Sequence, residues 1–235
     1  MPSITISKKA LLADLARKPT TEQLKERISF MGTDLESIDK DDITVEVFPN
    51  RPDLLSQQGF SRAYKSFVGE QGFLRYKAKK NPKNRVIIDR SVKDVRPYTA
   101  CAIVRGMRFD DATIKDIIQV QEKLHVTYGR NRKRCAIGIY PMEHISLPIT
   151  YCARRPEDIV FRPLEGKKEM DGRRILSQHP AGREYGHLLE GKELFPIFVD
   201  DKDEILSMPP IINSEKTGRI TAKTKDVFVE CSGFS

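Results

Sequence analysis

Residues 205–233 read ILSMPPIINSEKTGRITAKTKDVFVECSG. A short apolar run enters at Ile205 and reaches Ser207 and Met208. Pro209 and Pro210 then fix φ at two successive positions and exclude a helix. Ile211 and Ile212 resume an extended apolar run that ends in Asn213–Ser214. A polar loop rich in Ser, Lys, Thr and Gly leads into the strand-like segment 227–233. Alternation there puts Val227, Val229 and Cys231 on one face, with Phe228, Glu230 and Ser232 on the other. A carboxylate and a hydroxyl beside Phe228 would suit the wall of a polar-floored pocket. Spacing alone favours the plainer reading, a solvated outer face.

Outward from this stretch, other apolar runs have strand character. Leu194–Val199 is a strand, and the acidic run Asp200–Asp203 turns it back into Ile205–Ser207. That turn could chelate Mg²⁺, but it lacks the ligand number and spacing of a calcium loop and reads more simply as a hairpin tip. Val86–Ile88, Tyr98–Val104, Ala136–Ile139 and Ile159–Leu164 are further strands. Residues 177–189 form a loop leading into a short helix. Ile114, Ile117, Ile118, Gln121 and Leu124 recur at helical spacing behind a cap at Asp110 or Asp111. His125 then stands at the C-terminal end, where the helix dipole favours a cation. Strands broken by a few helices, without regular βαβ alternation, give an α+β class.

The N-terminal segment reads as a small helical module with a strand. Ser7 caps a first helix carrying Leu11, Leu12 and Leu15. Thr20 and Gln23 have the spacing of a capping box for a second, with Leu24, Ile28 and Met31 on one side and Gly32 at its end. That second helix has no set of Arg, Asn or Gln placed for base edges, so a DNA-binding helix-turn-helix gains little support. Ile43, Val45 and Val47 alternate as a strand. Asp53 is placed to cap a helix running through Phe67. Arg51, between them, either organises its loop through backbone carbonyls or meets a phosphate. A basic linker without hydrophobic period follows at 75–85.

The chain has 235 residues, 39% hydrophobic and 31% charged, with a net charge of +8. Such a balance can bury a core and favours a polyanionic partner. No apolar run is long enough to cross a bilayer, and no signal-peptide core opens the chain. Cys101, Cys135, Cys152 and Cys231 have no zinc spacing and read as buried free thiols in a reducing cytosol. No metal site is expected. Neither a GxGxxG nor a Walker sequence is present, which argues against a nucleotide-triphosphate site. Residues 129–134, GRNRKR, form the densest positive cluster, either plain surface or a phosphate contact.

SMPPIINS at 207–214 and DVFVECSG at 226–233 resemble the archaeal and eukaryotic phenylalanyl-tRNA synthetase β subunit. VFPNRPDLLSQQGFSRAYKSFVG at 47–69 and YCARRPEDIVFRPL at 151–164 agree, in the same order. The resemblance is to the N-terminal part of that subunit. It implies a B1-like assembly module at 1–75, a linker at 76–85 and a B3/B4-like editing domain at 86–235. The implied activity is hydrolysis of tyrosine wrongly esterified to the phenylalanine tRNA, using a positioned water. Leu164 and Phe198 would wall the ring. Ser207, Glu230 and Ser232 would form the polar end, with an ionised Glu230 accepting from the tyrosine hydroxyl. Asn213 and Arg219 would address the ester or the terminal ribose and phosphate as catalytic groups, and Arg130, Arg132, Lys133 and Arg134 would meet tRNA phosphates.

The implied partners are tRNA and the synthetase α subunit, in an assembly of two α and two β chains in the cytoplasm. No cofactor is implied for this chain, since ATP and Mg²⁺ belong to the complete ligase, whose activation chemistry lies on α. The alternative is a non-catalytic scaffold with a decayed pocket. Family members usually carry Thr at the position of Ser232, and Thr-Asp where this chain has Phe234–Ser235. The family chain continues further, which implies either an excised piece or a split gene product.

Overall fold

The computed structural model describes residues 2–72 and 75–234. They divide into two compact units, one comprising 1–79 with 115–128, the other 80–114 with 129–235. The expected single boundary in the linker therefore misses one exchange of chain. The helix read from the isoleucine spacing belongs mostly with the N-terminal unit, where Leu124 packs on its core.

In the first unit, β1 (Ser3–Ser7) runs directly into α1 (Lys8–Ala13), whose Ala10 N–H is accepted by the Ser7 hydroxyl at 3.2 Å. α2 (Thr21–Phe30) starts with the expected reciprocal Thr20–Gln23 box. Gly32, at φ +78°, turns the chain into β2 (Thr33–Ile38) and β3 (Asp42–Val47). Sequence reading missed β2, an edge strand with only Leu35 and Ile38 to mark it. The sheet order is β1-β3-β2, and Ile43, Val45 and Val47 face the core from its centre.

α3 (Gln57–Phe67) begins at Ser56, which accepts from Gly59 N–H at 2.9 Å. The cap expected at Asp53 is thus displaced. Arg51 takes the Asp53 carboxylate through Nε and Nη2, at 3.0 and 2.9 Å, and donates Nη1 to the Met31 carbonyl at 3.2 Å. Of its two readings, loop organisation is the one the geometry supports. α4 (Asp111–Val126) follows an Asp110 cap on Thr113, and His125 near its end is buried against Glu122 at 3.2 Å.

The second unit is built in layers. β4 (Val86–Ile88), β5 (Tyr98–Val104), β6 (Cys135–Pro141), β7 (Ile149–Arg154), β8 (Val160–Phe161) and β9 (Met170–Asp171) lead to α5 (Gly172–Gln178) and α6 (Pro180–Tyr185). β10 (Phe195–Val199), β11 (Ile205–Met208), β12 (Ile212–Asn213), α7 (Glu215–Gly218) and β13 (Val227–Gly233) complete it. α5 was not expected; its cap is Asp171, which accepts from Arg174 N–H at 2.8 Å.

A central sheet has the order β12-β11-β10-β7-β4 and a smaller one β5-β13-β6. Ile197, Val199, Ile205 and Met208 pack with Ile175 and Tyr185 on one side of the central sheet. Tyr151, Phe198 and Leu206 pack with Tyr140 and Phe228 of the smaller sheet on the other. Burial on both faces explains why every residue of β10 and β11 is buried and why both runs read as unbroken apolar sequence. Among the described residues no helix is long and apolar enough to cross a membrane, and no three potential metal ligands come together.

Candidate functional site

β13 is the centre strand of the smaller sheet, paired with β5 and β6 on either side. Its alternation is as expected, but its orientation reverses the preferred reading. The Phe228, Glu230 and Ser232 face is the inner one, with exposures of 2, 2 and 0%. The reason lies in its neighbours. Cys101 and Gly138 flank Glu230, while Ile103 and Tyr140 flank Phe228. That row meets the central sheet, so it cannot be solvated.

Four polar side chains converge between the sheets. The Tyr140 hydroxyl, wholly buried, lies 2.8 Å from Ser207 Oγ and 3.3 Å from both Asn213 Oδ1 and Glu230 Oε1. Ser207 and Asn213 are direct partners across β11 and β12. The register against β10 shifts between Phe198 and Val199, leaving Leu206 as the extra residue of β11. Such a bulge re-aims side chains locally. Ser232 lies two residues beyond Glu230 along β13, on the same face. Arg96, itself buried, donates Nε to Ser232 Oγ at 3.2 Å and Nη2 to the Ser232 carbonyl at 2.7 Å.

The electrostatics follow from this burial. Loss of solvent pushes the Glu230 carboxyl up to about 8, against the pull of Arg96 and of hydrogen bonding from Tyr140 and Ser232. The group is therefore mostly neutral at pH 7, not the ionised acceptor expected from sequence. Its Oε2 atom is buried and makes no well-formed hydrogen bond among the described residues; Ser232 is near enough to favour the charged form without closing one. Burial also holds the Tyr140 phenol well above its ordinary value and pushes the Cys101 thiol up to about 11. A thiol so placed is a poor nucleophile near neutrality.

The remaining expected residues divide. Leu164 is half-buried at the cluster's edge, its N–H donated to the Asn213 carbonyl at 2.8 Å. Phe198 stacks on Tyr151 with centroids 4.4 Å apart and lies opposite Ser207 in register, so its ring is core as well as neighbour to the site. Arg219 is exposed and paired with Glu215 through Nε at 2.5 Å and Nη2 at 3.0 Å. It makes no hydrogen bond to the cluster among the described residues.

Within 129–134, Arg130, Asn131 and Arg132 take left-handed backbone conformations, with φ of 52, 53 and 64°. This tight loop exposes Arg130 and Lys133. Arg132 is turned inward instead, donating Nη1 to the Ile211 carbonyl at 2.9 Å and lying 4.1 Å over the Tyr185 ring. Its expected phosphate role gives way to a packing one. Arg134 is half-buried. Tyr140, Arg96 and Gly138 were missed by sequence reading. Only Gly138 left a trace, as a glycine inside an apolar strand, which marks a close approach.

Known proteins supply an independent measure. The chain is 42% identical over 209 residues to the phenylalanine–tRNA ligase β subunit of Archaeoglobus fulgidus, covering 88% of this chain and 38% of that one. The corresponding subunit of Pyrococcus horikoshii is 39% identical over 240 aligned residues, covering 100% of this chain and 43% of that one. A crystal structure of an N-terminal fragment of the Pyrococcus horikoshii phenylalanyl-tRNA synthetase β subunit matches with a TM-score of 0.91. That match has 38% identity and covers 100% of this chain and 69% of the fragment. The chain belongs to the phenylalanyl-tRNA synthetase β-subunit family. No protein-family model matches it. The chain spans about two fifths of the length of these two β subunits, 38% and 43%. In this β-subunit chain the matched length includes every residue of the Tyr140 cluster.

Proposed function

We propose that the second unit is an editing module that hydrolyses tyrosine wrongly esterified to the phenylalanine tRNA. The observation that carries this reading is the polar cluster of Tyr140, Ser207, Asn213 and Glu230 set into an otherwise apolar seam. A pocket shaped for phenylalanine rejects an added hydroxyl only weakly. A site that hydrogen-bonds that hydroxyl rejects the analogue lacking it by about 10⁴–10⁵. In this reading Leu164 and Phe198 border the ring, and Glu230 and Ser207 meet its polar tip. Asn213, at the edge of the cluster, addresses the ester in this reading.

Water is the nucleophile in this scheme. The Glu230 carboxyl is mostly neutral at pH 7 and the thiol beside it is held protonated, so neither supplies an activated nucleophile. Rate enhancement then comes from positioning and from fixed dipoles at the ester. Arg130 and Lys133 offer charge for tRNA phosphates. Partnership with an α subunit in a two-α, two-β cytoplasmic assembly belongs to the same reading. So does dependence on ATP and Mg²⁺ for aminoacylation by the complete ligase only.

A scaffold without catalysis is the second reading. Tyr140 favours it, because the chain's own phenol already engages Glu230, Ser207 and Asn213. Deacylation of tyrosyl- and phenylalanyl-tRNA by the purified chain separates the two. Selective tyrosine release supports editing, whereas tRNA binding with hydrolysis no faster than buffer supports the scaffold.

A further inference from the structure

Tyr140 reaches Glu230 indirectly. Its Cα stands opposite Phe228, not Glu230, so the ring runs along the sheet face past Gly138. A Cβ at Gly138 would lie 2.2 Å from the Tyr140 hydroxyl oxygen and 2.6 Å from Glu230 Oε1. Only glycine leaves that path open. The ring is wholly buried, tilts over Phe228 with centroids 5.9 Å apart, and is hydrogen-bonded at its tip. These contacts make it a fixture of the fold, not a plug that a ligand displaces.

Glu230 has one oxygen facing this phenol and one facing elsewhere. Oε1 lies 3.3 Å from the Tyr140 hydroxyl, while buried Oε2 makes no well-formed hydrogen bond among the described residues. A native buried polar atom left unpaired calls for an explanation. We propose that Tyr140 is a positioning residue for discrimination, holding Glu230 through Oε1 so that Oε2 faces the aryl hydroxyl of the amino acid to be removed. This rests on the editing reading above.

The hydrogens are consistent with it. A phenol has one hydrogen to donate, and its shortest contact, at 2.8 Å, is Ser207. The hydroxyl also lies 3.3 Å from Glu230 Oε1, and as Glu230 ionises the phenolic hydrogen turns to that oxygen, which favours the charged form and leaves Oε2 as the open acceptor. A tyrosine hydroxyl satisfies that acceptor; a phenylalanine ring strands it. As the carboxyl ionises, Oε2 becomes a stronger acceptor and more costly to strand. Preference for the tyrosyl ester should therefore steepen as pH rises through the Glu230 titration.

The test is the ratio of kcat/KM for tyrosyl- and phenylalanyl-tRNA, measured from pH 6 to 9 for wild type and Tyr140→Phe. The variant keeps the ring and loses only the hydroxyl. Its preference should fall about tenfold. Its pH midpoint should move up, because the Tyr140 hydrogen bond pulls Glu230 down. A merely structural role would lower both rates together and leave ratio and midpoint in place; that result overturns the proposal and spares the editing reading. Wild type that never releases tyrosine overturns both. If Tyr140→Phe does not fold, Ser207→Ala carries the test. It turns the phenolic hydrogen toward Glu230 and should move the midpoint down, and an unmoved midpoint is the overturning result.

Discussion

Arg96 holds Ser232 by both its side chain and its carbonyl, at 3.2 and 2.7 Å, across 136 residues of sequence. The same guanidinium donates to the Arg132 carbonyl at 3.2 Å and lies 5.5 Å from the Phe234 ring. One buried cation thus ties the end of β13 to the loop at 129–134. Desolvation lowers its pKa, so the hydrogen bonds must offset a real burial cost. Arg96→Ala should destabilise the chain by about 2–4 kcal/mol, since several buried acceptors lose their donor. Arg96→Lys should recover little, lacking the planar fork that serves two oxygens of one residue. Urea midpoints of the two variants check this, and a fully stable lysine variant would refute it.

The Glu230 carboxyl carries a second consequence. Its ordinary value of 4.5 is raised to about 8 in the fold. Between those values the folded state holds a proton that the unfolded state has released, so stability falls as pH rises. The loss begins near pH 4.5 and is complete above about 8. At its steepest, this single group contributes about 1.4 kcal/mol per pH unit. Glu230→Gln keeps a neutral, hydrogen-bonding group and should flatten the trend, gaining on wild type most at pH 8 to 9. Thermal transitions from pH 4.5 to 9 decide it; parallel curves for the two proteins would mean that Glu230 does not titrate in that range.

The 129–134 loop separates two kinds of arginine. Arg130 and Lys133 are exposed, whereas Arg132 bonds backbone carbonyls and covers Tyr185. Replacing Arg130 and Lys133 together with Ala should weaken tRNA binding and reduce its salt slope by about 0.7–0.9 per lost phosphate contact, with the thermal transition unchanged. Arg132→Ala should do the opposite, lowering the transition by an amount corresponding to about 1–3 kcal/mol while leaving the salt slope alone. Binding isotherms at several salt concentrations, beside melting curves, distinguish the two.

How much was legible depended on whether the information was local. The Thr20–Gln23 box and the Ser7 cap are written within four residues, and both form as read. The β13 alternation is equally local. Which face turns inward is not, because it depends on what packs above Glu230. The hairpin around Asp200 was read correctly as a turn: its Oδ1 accepts from Lys202 and Glu204 N–H at 2.8 and 2.9 Å. Asp53 shows local logic overridden, since Arg51 takes the carboxylate and Ser56 inherits the cap. Tyr140 and Arg96 escaped entirely. Their partners lie 36 to 136 residues away, and nothing beside them in sequence announces a contact. The site residues proposed through family resemblance came from the motif as a whole, not from any one residue's neighbours.

Gly138 offers the most direct handle on the cluster, because it acts by absence. An added methyl would meet Tyr140 Oη at 2.2 Å, Glu230 Oε1 at 2.6 Å and Tyr140 Cζ at 2.7 Å. None of these can yield cheaply: Tyr140 is pinned by Phe228 and Ser207, and Glu230 sits on the central strand. Gly138→Ala should therefore cost about 1–3 kcal/mol as an overpacking change. Tyr140→Phe removes the closest of the three clashes but not the others. Combined with Gly138→Ala, it should make the alanine less costly than in wild type, with a coupling of about 0.5–3 kcal/mol. The relief should be partial, because the ring carbon and the carboxylate oxygen remain in place. Unfolding free energies of the two single variants and the double variant close this cycle. Strict additivity would mean that the phenol does not occupy the space above Gly138, and that Glu230 is held by something other than Tyr140.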